Sequence, residues 1–594
     1  MSLPLSTLAP APSLAASAAA SSAAEAASPR TAAAEAAFAR LTDEDWQWRL
    51  AQFPLMATSV GAPGHDHELD RVDAATRAAQ RAWWQQVHQR LAALDPAALS
   101  PASRVNLAVF RHQIDTFVRQ ADTHEDLLPI NSDSAFYDGL IDLPDGQPLA
   151  DLPGYEAYLQ RLSAIPRYFA EHEALMREGL RTGYTVPQVV LAGRDQPLAD
   201  VAALTKAEDS PFWKPFAHFP AGVPQAAQAG LQARAREVIA QQVLPAYGGF
   251  LAFLRQTYVP GARQTTGARD LPDGQAYYQA RILDFTTLPL TAAQIHAQGL
   301  AEVARIEAEM QAVMRQTGFT GDFQAFLQQL RSDPQFQART SDELLGRAAL
   351  LSKRIDGLLP KYFGLLPRQP YGVAPVPAAI APFYTGGRYV PAPQPVGASG
   401  TYWVNTHDLP SRPLYLLPAL TLHEAVPGHH LQIALAAEAG DLPPWRRFGG
   451  IDAYVEGWAL YAEHLGLEMG IYQTPYEQFG RLSYEMWRAC RLVVDTGLHT
   501  QGWTREQARD YLLAHTAMSR HEAGTEVDRY VSWPGQALAY KLGEMSIRRL
   551  RREAEQALGP RFDLRAFHDL VLAQGAVPLP VLEQQVQGWV EQRR

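Results

Sequence analysis

Apolar residues recur at three- and four-residue spacing through most of the chain, the period of helices that bury one face. The stretch after Thr291 is the clearest case. Val303, Ile306, Met310 and Val313 fall on one stripe, Thr291-Ala292-Ala293-Gln294 forms a capping-box pattern at its start, and Gly318 closes it. The same period predicts helices over roughly 67–95, 101–121, 152–181, 224–257, 341–360, 442–470, 474–499, 504–516 and 533–557. Alternating runs are scarce, and Gly400-Thr401-Tyr402-Trp403-Val404-Asn405 predicts one strand. Residues 364–413 have no helical period and are dense in Pro and Gly. Loops of that length inside compact proteins are usually functional or disordered. The aromatics Tyr371, Phe383, Tyr384, Tyr389 and Tyr402 argue for order, and the segment is expected across the mouth of a cleft.

These patterns predict a predominantly α fold with one small β element and no fixed-period repeat. Residues 1–40 are low-complexity Ala/Ser/Pro and read as a disordered tail or as the remnant that follows a cleaved export signal. Residues 41–594 read as a single large helical domain. A 594-residue chain with 47% hydrophobic and 19% charged residues has the composition of an ordinary globular protein with a large core. Net charge is −10 with no Lys/Arg block of five, which argues against nucleic acid and anionic membrane surfaces as partners. No apolar run is long enough to span a membrane. The single cysteine, Cys490, excludes an intrachain disulfide and any cysteine-based zinc module, and its helical context marks a buried thiol. Metal chemistry must therefore come from His, Asp and Glu.

His423-Glu424-Ala425-Val426-Pro427-Gly428-His429-His430 supplies it, after the apolar lead-in Leu414–Leu420. Imidazole suits Zn²⁺, and a carboxylate beside the first ligand can act as general base. The zincin signature His-Glu-x-x-His places its histidines one turn apart. Here that position is Pro427. In an unbroken helix His429 would sit about 240° round from His423, and His430 would return to the same face about 10.5 Å along the axis. Pro427 and Gly428 instead predict a local expansion, with the helix resuming after Gly428 and one of the paired histidines brought beside His423. The dipeptides His67-Glu68, His124-Glu125, His172-Glu173 and His521-Glu522 have no following histidine at usable distance.

A Gly-His pair also closes the metal motif of thimet-type oligopeptidases and carboxypeptidase Taq (His-Glu-Phe-Gly-His) and of dipeptidyl peptidase III (His-Glu-Leu-Leu-Gly-His), which the present motif resembles. Alignment on that pair makes His429 the second ligand, with His430 beside it. The fuller resemblance, from about Trp46 to the C-terminus, is to the bacterial family catalogued as domain of unknown function 885. It runs through Leu175–Gly179, Leu290–His296, the His423 motif, Glu456-Gly457-Trp458-Ala459-Leu460-Tyr461, Arg529-Tyr530 and Pro534-Gly535-Gln536-Ala537. The resemblance implies a two-lobed, gluzincin-like metallopeptidase with a deep central cleft and its metal site within 414–545. It points to Glu456 as third ligand; the small Gly457 and Ala459 beside it allow close helix approach, and Glu463, on the same face, is the candidate behind it. Family members often carry export signals, so the compartment reads as periplasmic or secreted ahead of cytoplasmic.

Peptide hydrolysis also needs donors for the oxyanion. In related zinc peptidases a downstream Tyr and His do this work, which nominates Tyr530 and, with Asp495 one turn before it, His499. Arg529, Arg491 and Lys541 are candidates to hold a substrate carboxylate, and Asn405 to bind an extended peptide backbone. The expected function is a zinc peptidase with one Zn²⁺ per chain, acting on short peptides as a carboxypeptidase or dipeptidase with Glu424 as general base. The alternatives are a metal-dependent hydrolase of another amide or ester, and an inactive helical peptide-binding protein.

Overall fold

The computed structural model describes residues 29–378, 380–392 and 399–594, with the side chain of Phe383 left aside. Residues 1–28 of the sequence read as a tail lie outside the described residues. From Pro29 the chain is helical (Pro29–Gln52), so the folded body begins inside that stretch rather than at residue 41.

The protein is predominantly helical. The capping box at Thr291 and Gln294 forms and starts the helix Ala292–Gln316. The 152–181 prediction resolves into Leu152–Ser163 and Ile165–Thr182, because Pro166 starts a new helix. The 442–470 prediction divides at Gly449-Gly450 into Pro444–Arg447 and Asp452–Glu468. Pro475–Thr496 passes into a π-turn at Gly497–Gln501, and the last predicted helix begins only at Ala539, after the Gly535 turn at φ +85°. The polar segment that carries Arg529-Tyr530 is the helix Arg520–Ser532, capped by Ser519.

The predicted strand is present as β3 (Gly400–Val404) in a three-stranded sheet with β1 (Tyr371–Pro375) and β2 (Gly387–Val390). The order is β1-β3-β2, with β1 parallel and β2 antiparallel to β3. Two strands thus lie inside the region read as irregular; each is too short for alternation to stand out among the prolines.

Two large apolar cores divide the chain. One joins the helices of residues 155–330 to Pro475–Thr496 and Arg520–Ser532, and it buries Cys490, whose pKa burial raises. The other joins the first helices to Leu417–Glu424, Asp452–Glu468 and the C-terminal helices. Within the second core, Asp452–Glu468 and Ala539–Leu558 meet backbone to backbone. A Cβ on Gly457 would lie 2.5 Å from Gly543, and one on Gly543 would lie 1.9 Å from the Ala453 carbonyl. That contact fixes the turn carrying Glu456.

Candidate metal centre

The helix Leu417–Glu424 stops at Ala425 (φ −91°, ψ −106°), and a new helix, His429–Glu438, starts after Gly428 (φ −76°, ψ −128°). The His430 N–H reaches back five residues to the Ala425 carbonyl at 3.1 Å, which is the spacing of a π-bulge. A Cβ on Gly428 would stand 1.9 Å from the His423 carbonyl oxygen, so glycine alone fits. The Trp458 indole N–H donates to the Pro427 carbonyl at 2.8 Å and ties the break to the Asp452–Glu468 helix.

The break sets the rings of His423 and His429 edge to face with centroids 4.8 Å apart. Their Nε2 atoms lie 3.5 and 3.4 Å from Glu456 Oε2, and the three potential ligand atoms all fall within 4.8 Å of one another. Glu456 Oε2 is buried without a hydrogen bond of good geometry. A carboxylate oxygen placed between two imidazole nitrogens, too far from each for a good hydrogen bond, is arranged as donors about a shared cation are. Two imidazoles and one carboxylate suit Zn²⁺ and leave a fourth position for water.

Glu463, two turns after Glu456, accepts from His423 Nδ1 at 2.8 Å and directs Nε2 toward the cluster. Arg488 lies 3.8 Å from the same Glu463 oxygen, and the Tyr472 hydroxyl donates to the Glu463 carbonyl at 2.7 Å. Burial alone would lower the His423 pKa, but Glu456, Glu463 and Glu424 lift it to about 9. Burial likewise pushes Glu456 upward, and the two histidines outweigh it to hold the carboxyl well below its usual range. His430 turns away. Its Nδ1 meets the Tyr389 hydroxyl at 3.0 Å, its ring lies 4.5 Å from that of Tyr371, and burial lowers its pKa to about 4.

Glu424 is anchored by β2. Its Oε2 accepts the Tyr389 backbone N–H at 2.8 Å, while Oε1 has no protein partner among the described residues. The preceding residue, Arg388, is exposed; burial of its guanidinium is outweighed by Tyr384, Glu424 and Glu456, which raise its pKa. Sequence reasoning missed Arg388, because the pairing of β2 with the His423 helix is non-local.

Several other candidates are enclosed by partners within the protein. The Asn405 amide is fully buried; it donates to the carbonyls of Ala381, Tyr384 and Thr385 at 2.9, 3.0 and 3.0 Å, so its side chain is committed to the loop before β2. Lys541 is equally enclosed, bonded to Glu302, Glu485 and Glu544 at 3.0, 2.9 and 2.9 Å. Its charge is committed to neutralising these buried carboxylates. His499 accepts the Ala268 N–H on Nδ1 and donates from Nε2 to the Tyr530 carbonyl, both at 3.0 Å, and burial lowers its pKa to about 3. Asp495 does not orient it; that carboxyl accepts from Tyr278 and Gly535. The Tyr530 hydroxyl, 1% exposed, accepts from Trp487 Nε1 at 3.0 Å and Arg491 Nε at 3.1 Å, with Glu526 beside it. Arg491 is buried between the rings of Trp487 and Tyr540 and bonds Glu526 at 3.1 Å. Arg529 donates to Gln536 and Tyr540, and Gln536 donates to Asp452, one turn before Glu456. Among the three candidate cations, Arg529 is the one whose charge opposes the burial-driven rise of the Asp452 pKa, on the helix that carries Glu456.

A solved structure from Colwellia psychrerythraea, described as a "putative lipoprotein", is 30% identical, with a TM-score of 0.85 over 94% of this chain and 100% of its own. A second, from Shewanella oneidensis and described as a "putative lipoprotein of unknown function", is 20% identical, with a TM-score of 0.72 over 93% and 99%. The second likeness speaks for the fold alone. No curated protein matches the sequence. The family profile "Bacterial protein of unknown function (DUF885)" matches residues 54–586, so the chain belongs to the DUF885 family.

Proposed function

We propose that the protein is a metal-dependent peptidase acting on short peptides. The observation that carries this reading is the meeting of His423, His429 and Glu456 within 4.8 Å beside a Glu424 whose Oε1 is free. A bound Zn²⁺ would polarise the scissile carbonyl and make water a better nucleophile. The Tyr389 N–H holds Glu424 in one orientation, and Glu424 Oε1 takes the proton of the attacking water and returns it to the leaving amine. Arg388, exposed and close in charge to Glu424 and Glu456, faces the carbonyl oxygen as charge develops there, the part first assigned to Tyr530. Arg529 is the candidate to receive a terminal carboxylate.

The centre draws ligands from one core and the Arg488 contact from the other. This supports a two-lobed body with the cleft at the seam, which would exclude folded proteins. The lipoprotein descriptions of the two solved relatives support an extracytoplasmic compartment. No helix among the described residues is long and apolar enough to cross a membrane.

The test is digestion of a mixed peptide library, read by mass spectrometry, with wild type and Glu424→Ala compared after zinc content is measured. One Zn²⁺ per chain, lost in His423→Ala, with products formed only by wild type, is expected. Equal zinc retention in His423→Ala, or equal product in Glu424→Ala, would refute the reading.

A further inference from the structure

A cavity of about 110 Å³ is lined by Tyr415, Tyr484, Trp487, Met518 and Glu522. Small-molecule sites usually enclose about 300–1,000 Å³, so this space suits one side chain rather than a whole ligand. Tyr484 forms one wall. Its hydroxyl would lie 4.0 Å from a Cβ on Gly386, just before β2, and its ring lies under Arg488, which also approaches Glu463. Burial raises the Tyr484 pKa, and the charges of Glu522 and Glu424 raise it further, so both carboxylates act on this ring.

The Glu522 side chain makes no hydrogen bond or ion pair among the described residues, while its backbone N–H donates to the Ser519 cap at 3.1 Å. Arg331 is the cation on the cavity wall, yet it donates to the carbonyls of Met518, Leu513 and Thr516 at 3.1, 3.1 and 2.6 Å. It is committed to backbone and does not neutralise Glu522. Burial raises the Glu522 pKa, opposed by Arg412 acting at longer range. A part-buried carboxylate without a partner is costly in the free protein and is relieved by an incoming cation. The tyrosine rings around it suit both the methylene stem and the charged head of such a group.

We propose that this cavity is the side-chain specificity pocket of the site, taking an Arg or Lys side chain of the peptide against Glu522. The proposal rests on the peptidase reading for its substrate class, and a binding measurement separates the two. Tripeptides that differ only in Arg against citrulline, placed at each position in turn, are titrated calorimetrically into Glu424→Gln protein and into the same protein carrying Glu522→Gln. One position is expected to favour Arg by roughly tenfold or more, the worth of a charged hydrogen bond. Glu522→Gln should abolish that preference and leave the thermal midpoint no lower than before, since it removes a carboxylate that has no partner in the free protein. No preference at any position, or one that survives Glu522→Gln, overturns the proposal. If Glu522→Gln unfolds, Glu522→Asp replaces it, and the preference must weaken. Arg-selective binding without cleavage by wild type would sink the peptidase reading and leave the pocket standing.

Discussion

The backbone N–H of Tyr389 and the Oε2 of Glu424 are 2.8 Å apart, a hydrogen bond from the edge of a small sheet to the carboxylate beside a metal-type histidine. It leaves Oε1 as the oxygen available to water. Glu424→Gln keeps an acceptor for Tyr389 but cannot take a proton. Turnover should fall about 10²–10⁴-fold, with zinc content and thermal midpoint unchanged. Near-wild-type kcat in the variant would show that another residue activates the water.

Glu463 fixes His423 through Nδ1 at 2.8 Å. Glu463→Gln should weaken zinc binding by about 10–100-fold, measured by competition with a chelating dye, whereas His430→Ala should bind zinc as wild type does. A loss in His430→Ala with no loss in Glu463→Gln would reverse the assignment of the ligands and their support.

The sequence predicts this centre better than its surroundings. His423, Pro427, Gly428 and His429 are near neighbours, so local geometry anticipates a bulge that brings one of the paired histidines beside His423, and Glu456 follows on the next helix. Arg388 and Tyr389 reach Glu424 through a strand of four residues hidden between prolines, and no local period reveals such a pairing. Burial was equally illegible. Lys541 and Asn405 are polar, and nothing near them in sequence shows that one neutralises three carboxylates and the other ties a loop. The start of the helix Arg520–Ser532 is harder to see in the sequence, because its first turn, Arg520-His521-Glu522, is polar.

Asp495 gives the fold a pH dependence. Burial, only partly offset by the Tyr278 and Gly535 hydrogen bonds, raises its pKa from 3.8 to about 7. The native state therefore holds a proton that the unfolded chain has released. The stability tied to that proton is full below about pH 4 and is lost as pH rises through 7. The thermal midpoint of wild type should fall between pH 5 and 8, and Asp495→Asn should flatten that slope. An unchanged slope in Asp495→Asn would place the titration elsewhere.

Tyr530 and Arg388 make opposite predictions. The Tyr530 hydroxyl is buried and receives two donors, Trp487 Nε1 and Arg491 Nε. Tyr530→Phe leaves both without an acceptor and should cost about 1–3 kcal/mol of stability, seen in chemical denaturation, with kcat nearly unchanged. Arg388 is exposed, and its charge is felt at Glu424 and Glu456. Arg388→Ala should lower kcat by about 10²–10³-fold with little change in KM or stability, because a donor to the developing oxyanion acts mainly in the transition state. A rise in KM at constant kcat would make Arg388 a substrate-holding residue. A fall in kcat for Tyr530→Phe at unchanged stability would return the oxyanion role to the tyrosine.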